Sequence, residues 1–154
     1  MEYTLTIIKP DAVQRGLVGK IISRFENKGL QIVNLVMIHF DRTNMEELYS
    51  VHRGKSFFDG QVKFMCSGPV VVMTLCGKDS VSMARNIAGS IDKPGTIRGD
   101  FSISIRHNLI HTSDSPEEAV RELNWFDKYY KFLAVGSYDK TMDRWIYTQE
   151  ERNE

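Results

Sequence analysis

Three apolar, β-branched runs, at residues 3–8, 31–40 and 69–76, alternate with stretches whose apolar residues recur at helical spacing. That alternation constrains the fold more than any other feature of the chain. The first run ends at Lys9-Pro10-Asp11, a turn signal. Residues 11–28 then read as one helix: Asp11 is placed to cap it, Leu17, Ile21, Ile22 and Phe25 share a face, and Gly29 stands where a left-handed terminal residue belongs. Thr43-Asn44-Met45-Glu46 has the form of a capping box and predicts a helix to about Val51. Further helices are expected over 58–65 and from Asp79 or Ser80 to Ala88, followed by a loop over 89–99. A short helix and strand then lead to Leu109-Ile110-His111. Ser115-Pro116-Glu117-Glu118 is a second capping box, with proline at the first helical position. The order is βαββαβ. It predicts an α+β, ferredoxin-like antiparallel sheet, with parallel strands joined by right-handed crossovers, helices on one face and extra short helices.

A chain of 154 residues suits a single domain, expected over 1–154, with the aromatic segment 125–154 packed on the domain or on a neighbouring subunit. Twenty basic side chains balance twenty acidic ones, so nothing demands a nucleic-acid partner, and weak self-repulsion is compatible with assembly. Cys66 and Cys76 lack the paired spacing of a zinc site and form no disulfide framework. The N-terminus opens straight into a strand pattern without a basic region and apolar run, so no secretory leader is expected. No apolar stretch approaches the roughly 20 residues of a membrane span. A reducing, cytoplasmic location follows as the expectation.

His39, His52, His107 and His111 do not show H-E-x-x-H spacing, and the chain has no G-x-S-x-G, G-x-x-x-x-G-K-[ST] or G-x-G-x-x-G device. If phosphates bind, side chains must hold them. Lys9, Arg85 and Arg98 are the candidates, since guanidinium forks match phosphate oxygens. Each alone reads more simply as a solvated cation. Arg98 stands apart because Pro94, Gly95 and Gly99 fix its loop. His111 lies between apolar Leu109-Ile110 and a helix start, where free backbone N–H groups favour anions. Imidazole is a good nucleophile there, and Glu122, two turns into the next helix, is placed to orient it. A lone histidine at such a junction is otherwise structural.

These residues carry a resemblance. Ile8 to Gly19 (Ile-Lys-Pro-Asp-Ala-Val-Gln-Arg-Gly-Leu-Val-Gly), Ser67-Gly68-Pro69-Val70-Val71 and Pro94-Gly95-Thr96-Ile97-Arg98-Gly99-Asp100-Phe101 resemble segments of nucleoside diphosphate kinases. The most specific is Asn108-Leu109-Ile110-His111-Thr112-Ser113-Asp114-Ser115, which is similar to that family's N-x-[IV]-H-[GA]-S-D-[SD] signature. The resemblance implies a ping-pong phosphotransfer from a nucleoside triphosphate such as ATP to a diphosphate, through a phosphohistidine at Nδ1 of His111. It implies that Glu122 holds the other ring nitrogen, supported by Ser113, and that Tyr49 lies beside the histidine. Lys9 and Asn108 would bind sugar hydroxyls and the transferring phosphate, and Arg85 and Arg98 the β- and γ-phosphates. Phe57 would stack on the base with Ile105 on its other face. Mg²⁺ would arrive on the nucleotide phosphates with no protein metal site. The family also implies a homo-oligomer: a hexamer is favoured, with tetramer or dimer as alternatives.

Two departures stand out. Only Ser90-Ile91-Asp92-Lys93 separates Gly89 from Pro94, where the family has a longer stretch with a phosphate-contacting threonine. Arg106-His107 replaces the usual Gly-Arg, which puts Arg106 beside the base platform at Ile105. Both resemble the enzymes of some large DNA viruses and predict a bias towards pyrimidine, including deoxypyrimidine, nucleotides. The alternatives are a catalytically silent nucleotide-binding regulator of the same fold and a ferredoxin-like ligand or nucleic-acid module. The intact set His111, Arg98, Lys9, Asn108 and Glu122 opposes the first, and the neutral charge the second.

Overall fold

The computed structural model describes residues 1–130 and Gln149. Strands β1 (Glu2–Ile8), β2 (Gln31–Ile38), β3 (Val70–Gly77) and β4 (Ile110–Thr112) form one sheet in the order β2-β3-β1-β4. Every adjacent pair is antiparallel. β1 and β2 are parallel to each other but lie on either side of β3, as a ferredoxin-like topology requires. The fold class read from the sequence is therefore borne out.

Helices α1 (Pro10–Gln14) and α2 (Val18–Asn27) join β1 to β2, and α5 (Ser80–Ala88) and α6 (Ile97–Phe101) join β3 to β4. The stretch 11–28 is two helices, because Gly16 takes a left-handed φ of +67° and breaks the ladder. Asp11 does not cap: Lys9 occupies the N-cap of α1, and Asp11 sits in its first turn. Helix α3 (Arg42–Leu48) starts earlier than expected, since Asp41, not Thr43, accepts from Asn44 N at 2.9 Å. Helix α4 spans Phe58–Met65, and α7 spans Pro116–Tyr130 with Ser115 Oγ accepting from Glu118 N at 3.1 Å.

The sheet has a core on each face. Ile8, Val71, Met73 and Leu75 pack with Ile21 and Phe25 of α2 and with Ala84 of α5. Leu5, Ile7, Val70 and Val72 pack with Met45 and Leu48 of α3, Val62 and Met65 of α4, and Trp125 and Phe126 of α7. Burial of such side chains contributes roughly 1.5–3 kcal/mol each. Helices on one face hold for the crossover helices α2 and α5; the additional helices α3, α4 and α7 cover the other. They do so because α4 and α7 carry apolar residues that the exposed side of a one-layer sheet would leave in water. Within α7, Trp125 lies edge-on to Phe40 at 5.6 Å and donates to Asn44 O at 2.9 Å. The aromatic segment beyond Tyr130 lies outside the described residues.

Candidate functional site

Strand alternation sends Leu5 and Ile7 to the α3/α4/α7 face, and so delivers Lys9 to the same side. Lys9 is only 7 % exposed, and its Nζ donates to Asn108 Oδ1 at 2.7 Å. Burial, then the charge of Arg98, pull its pKa down to about 8, against the opposing pull of Asp11.

β4 pairs with β1 so that His111 stands opposite Ile7, again on the α3/α4/α7 face. There the first two turns of α7 bring Glu122 against it: Glu122 Oε1 lies 2.8 Å from His111 Nε2, and Ser113 Oγ donates to Glu122 Oε2 at 2.6 Å. Burial of Glu122 works against ionisation. The charge and hydrogen bond of His111, the Ser113 hydroxyl and Arg121 outweigh it and hold the carboxyl below its ordinary range. Arg121 also donates to Leu48 O at 3.1 Å, tying α7 to the end of α3, where Tyr49 follows. The Tyr49 ring meets His111 edge-on at 6.1 Å, and its hydroxyl is buried without a hydrogen-bond partner. Burial raises the pKa of that hydroxyl, which keeps its proton.

From Tyr49 a row of rings runs outward. His52 lies 6.3 Å from Tyr49 and 5.5 Å from Phe57, which is half exposed. Phe57, Gln61, Ile105, Arg106, Asn108 and Lys9 line a cleft of about 650 Å³. His107 closes its wall by stacking on Phe64, with centroids 4.3 Å apart and planes 8° from parallel. Ile105 stands out into solvent at 76 % exposure.

The arginines are more committed than the sequence implied. Arg85 pairs with Asp114. Arg98 donates to the carbonyls of Asn108 (3.3 Å), Gly89 (3.0 Å) and Ile110 (2.8 Å). Burial, then the charge of Arg85, lower its pKa. Its segment is tightly folded: a Cβ at Gly99 would stand 1.8 Å from Lys93 O, and one at Gly89 2.3 Å from the Thr96 side chain. Arg98 thus braces the backbone on both sides of Leu109.

The structure brings His111, Glu122, Ser113 and Tyr49 into one contact group, and Lys9, Asn108, Phe57, Ile105 and Arg106 around the adjoining cleft. The sequence reading missed His52, Lys55, Gln61 and the Phe64–His107 stack. His52 follows Tyr49 by three residues, one helical turn, and that spacing was the available signal. Lys55, whose Nζ stands 6.0 Å from the Phe57 ring centre, had no such signal. Among the described residues, no three His, Cys, Asp or Glu side chains gather as a metal cage. No helix among them is long and apolar enough to cross a membrane.

The family model of nucleoside diphosphate kinase matches residues 2–130. The nucleoside diphosphate kinase of Carboxydothermus hydrogenoformans is 48 % identical over 151 residues, covering 96 % of this chain and 99 % of that one. That of Staphylothermus marinus is 53 % identical over 126 residues, covering 79 % and 89 %. The solved structure of the Halobacterium salinarum nucleoside diphosphate kinase in complex with CDP superposes with a TM-score of 0.83 at 39 % identity, covering 95 % of this chain and 98 % of that one. A nucleoside diphosphate kinase family protein from Babesia bovis superposes with a TM-score of 0.84 at 34 % identity, covering 96 % and 100 %. With its four-stranded antiparallel sheet and these relatives over nearly its whole length, the chain belongs to the nucleoside diphosphate kinase family and is an enzyme of that type.

Proposed function

We propose that this enzyme moves a γ-phosphoryl group between nucleotides through a phosphohistidine at His111, and the observation that carries the reading is the His111–Glu122–Ser113 chain beside the cleft. Ionised Glu122 accepts from Nε2–H, so the lone pair of the ring resides on Nδ1. Nδ1 attacks the γ-phosphorus, the bond to the β–γ bridging oxygen breaks, and the electron pair leaves on the diphosphate. The ring keeps its Nε2 proton and becomes cationic, and the Glu122 carboxylate stabilises that charge as it forms. A terminal oxygen of an acceptor diphosphate then reverses the step.

Lys9 and Asn108 hold the sugar hydroxyls and the transferring phosphate, and the Tyr49 ring lies beside His111. Arg85 and the free donors of Arg98 contact the β- and γ-phosphates. Phe57 offers its exposed face to the base and Ile105 the opposite one, which tolerates any base because every base has a π-face. Glu122 is taken by His111 and Ser113 and Asp114 by Arg85, and among the described residues no three His, Cys, Asp or Glu side chains gather to cage an ion. Mg²⁺ would then arrive on the nucleotide phosphates, where it would neutralise oxygen charge.

Arg106 lines the cleft next to Ile105 and supports a preference for pyrimidine, including deoxypyrimidine, acceptors. Equal kcat/KM for dTDP, dCDP and GDP, or an unchanged preference in Arg106→Gly, would remove this part. Residues 1–154 act as one domain in a cytoplasmic homo-oligomer, a hexamer first, with no nucleic acid required. Leu35 and Met37, exposed at 47 % and 57 % on the edge strand β2, support self-association. Sedimentation at several concentrations tests it, and a monomer throughout would refute it.

The central test is incubation with [γ-³²P]ATP and Mg²⁺, wild type beside His111→Ala, then a chase with unlabelled diphosphate. An acid-labile label on wild type only, discharged into triphosphate, is expected. No label would leave the silent-regulator reading standing, and equal label on His111→Ala would overturn the assignment to His111.

A further inference from the structure

Two residues before His111 the backbone is strained. Leu109 is not glycine, yet its φ is +74°, and Ile110 N donates back to Asn108 O at 2.9 Å across it. This is the rarer, positive-φ form of the γ-turn, which costs an L-residue energy unless its surroundings impose it. What it does is visible in the packing. Leu109 and Ile110 are consecutive, both fully buried, and both in the core under α2 and α5. In an unbroken strand they would point to opposite faces. The turn cancels one alternation. Asn108, an odd three positions from His111, is thereby swung to the same side as His111 and joins Lys9 at the cleft.

Arg98 holds the carbonyls on either side of Leu109, and the restraint on Leu109's own N–H and C=O comes from the segment that carries Lys9. Lys9 N donates to Leu109 O at 2.8 Å, and Leu109 N donates to Asp11 Oδ2 at 3.1 Å. Both backbone groups of the strained residue are thus held by residues 9–11. A main-chain amide holds one, and a single side chain, Asp11, holds the other.

Resting on the phosphohistidine reading above, we propose that Asp11 is a positioning residue: by accepting the Leu109 N–H it locks the γ-turn that sets Asn108 and Lys9 in register with His111. Without that acceptor, Leu109 relaxes towards negative φ, and Asn108 turns away from the face that His111 occupies. His111 itself stays in β4, paired to Ile7 and bound to Glu122. The loss therefore falls on nucleotide-driven phosphorylation and spares the intrinsic reactivity of the imidazole.

Two donors separate these effects. Phosphoramidate, small and lacking base, sugar and diphosphate, reports on His111 without the contacts to those groups, whereas saturating ATP·Mg²⁺ reports on the assembled site. At pH 7, Asp11→Ala is expected to slow single-turnover labelling by ATP by roughly 10- to 100-fold, the size of effect that small misplacement produces. Labelling by phosphoramidate should stay within about twofold. Asp11→Asn keeps an acceptor oxygen while losing the charge, and should restore the ATP rate to within about threefold of wild type. A wild-type ATP rate in folded Asp11→Ala would overturn the proposal. So would an equal loss in Asp11→Asn, which would assign the effect to the charge of Asp11 on Lys9, or a matching loss with phosphoramidate, which would mean general damage. If Asp11→Ala does not fold, Asp11→Glu takes its place. Its acceptor is displaced by one methylene, so a slow ATP rate with normal phosphoramidate labelling is expected, and a wild-type ATP rate overturns the proposal. Failure of wild type to label at His111 with either donor would refute the phosphohistidine reading instead.

Discussion

Glu122 Oε1 stands 2.8 Å from His111 Nε2, and the other oxygen of the same carboxylate accepts from Ser113, so both acceptor atoms of a buried acid are spoken for. Such an acid orients the ring and stays ionised to meet positive charge. Glu122→Gln keeps the size and removes the charge. We expect kcat to fall on the order of 10²-fold with little change in KM, because the interaction strengthens only as the ring becomes cationic. Steady-state kinetics at saturating donor checks this; a rise in KM alone would contradict it.

The same carboxylate governs acid stability. Its pKa in the folded chain lies below the ordinary 4.5, so its contribution is fully present above 4.5 and is lost as pH falls through the folded value. Urea midpoints of wild type and Glu122→Gln between pH 6 and 3 should converge as the pH drops below 4.5. Parallel curves would exclude the effect.

Lys9 has the opposite sign. At about 8 against an ordinary 10.5, its charged form is disfavoured by folding. Its contribution to stability is present above 10.5 and lost as pH falls through about 8, so at neutral pH the chain carries a penalty. Lys9→Met should stabilise the nucleotide-free protein at pH 7 by on the order of 2 kcal/mol, with activity abolished. The gain should shrink as pH is raised towards 10, where wild-type Lys9 is itself neutral. Melting curves at pH 7 and pH 10 test this, and a destabilised Lys9→Met at pH 7 would refute it.

Gly99 and Gly95 separate steric from conformational demand. A Cβ at Gly99 would stand 1.8 Å from the Lys93 carbonyl oxygen, whereas one at Gly95 meets nothing within 4 Å but sits at φ +83°. Gly99→Ala should cost about 3 kcal/mol and displace Arg98, with a matching fall in kcat/KM. Gly95→Ala should cost only about 1 kcal/mol. Thermal midpoints of the two variants give the comparison, and equal losses would mean that the loop yields.

Much of this was readable in the sequence. The spacing of Ile21 and Phe25, the cap at Ser115 and the βαββαβ order are local signals; the strand order and α7 formed where they placed them, and Ile21 and Phe25 share the buried face of α2. Local chemistry misled where two signals competed. Asp41 outcompeted Thr43 for the cap of α3 because it stands in extended backbone at the position that reaches Asn44 N. Gly16 split one expected helix because a left-handed residue ends the ladder wherever it falls. Residue chemistry singled out Lys9, Arg85, Arg98, His111 and Glu122, the motifs supplied the rest of the site list, and neither showed that Arg98 spends three hydrogen bonds on backbone carbonyls.

By itself the sequence determined the strand and helix order, the apolar faces and the identities of Lys9, Asn108, His111 and Glu122, because these depend on periodicity and side-chain chemistry within a few residues. The tertiary structure decided which of them meet. Asp11 reaches Leu109 across 98 positions, and Lys9 reaches Asn108 across 99. No spacing rule within a segment anticipates such contacts. They exist because β4 returns beside β1 and brings the left-handed Leu109, one residue before it, against Lys9 and Asp11.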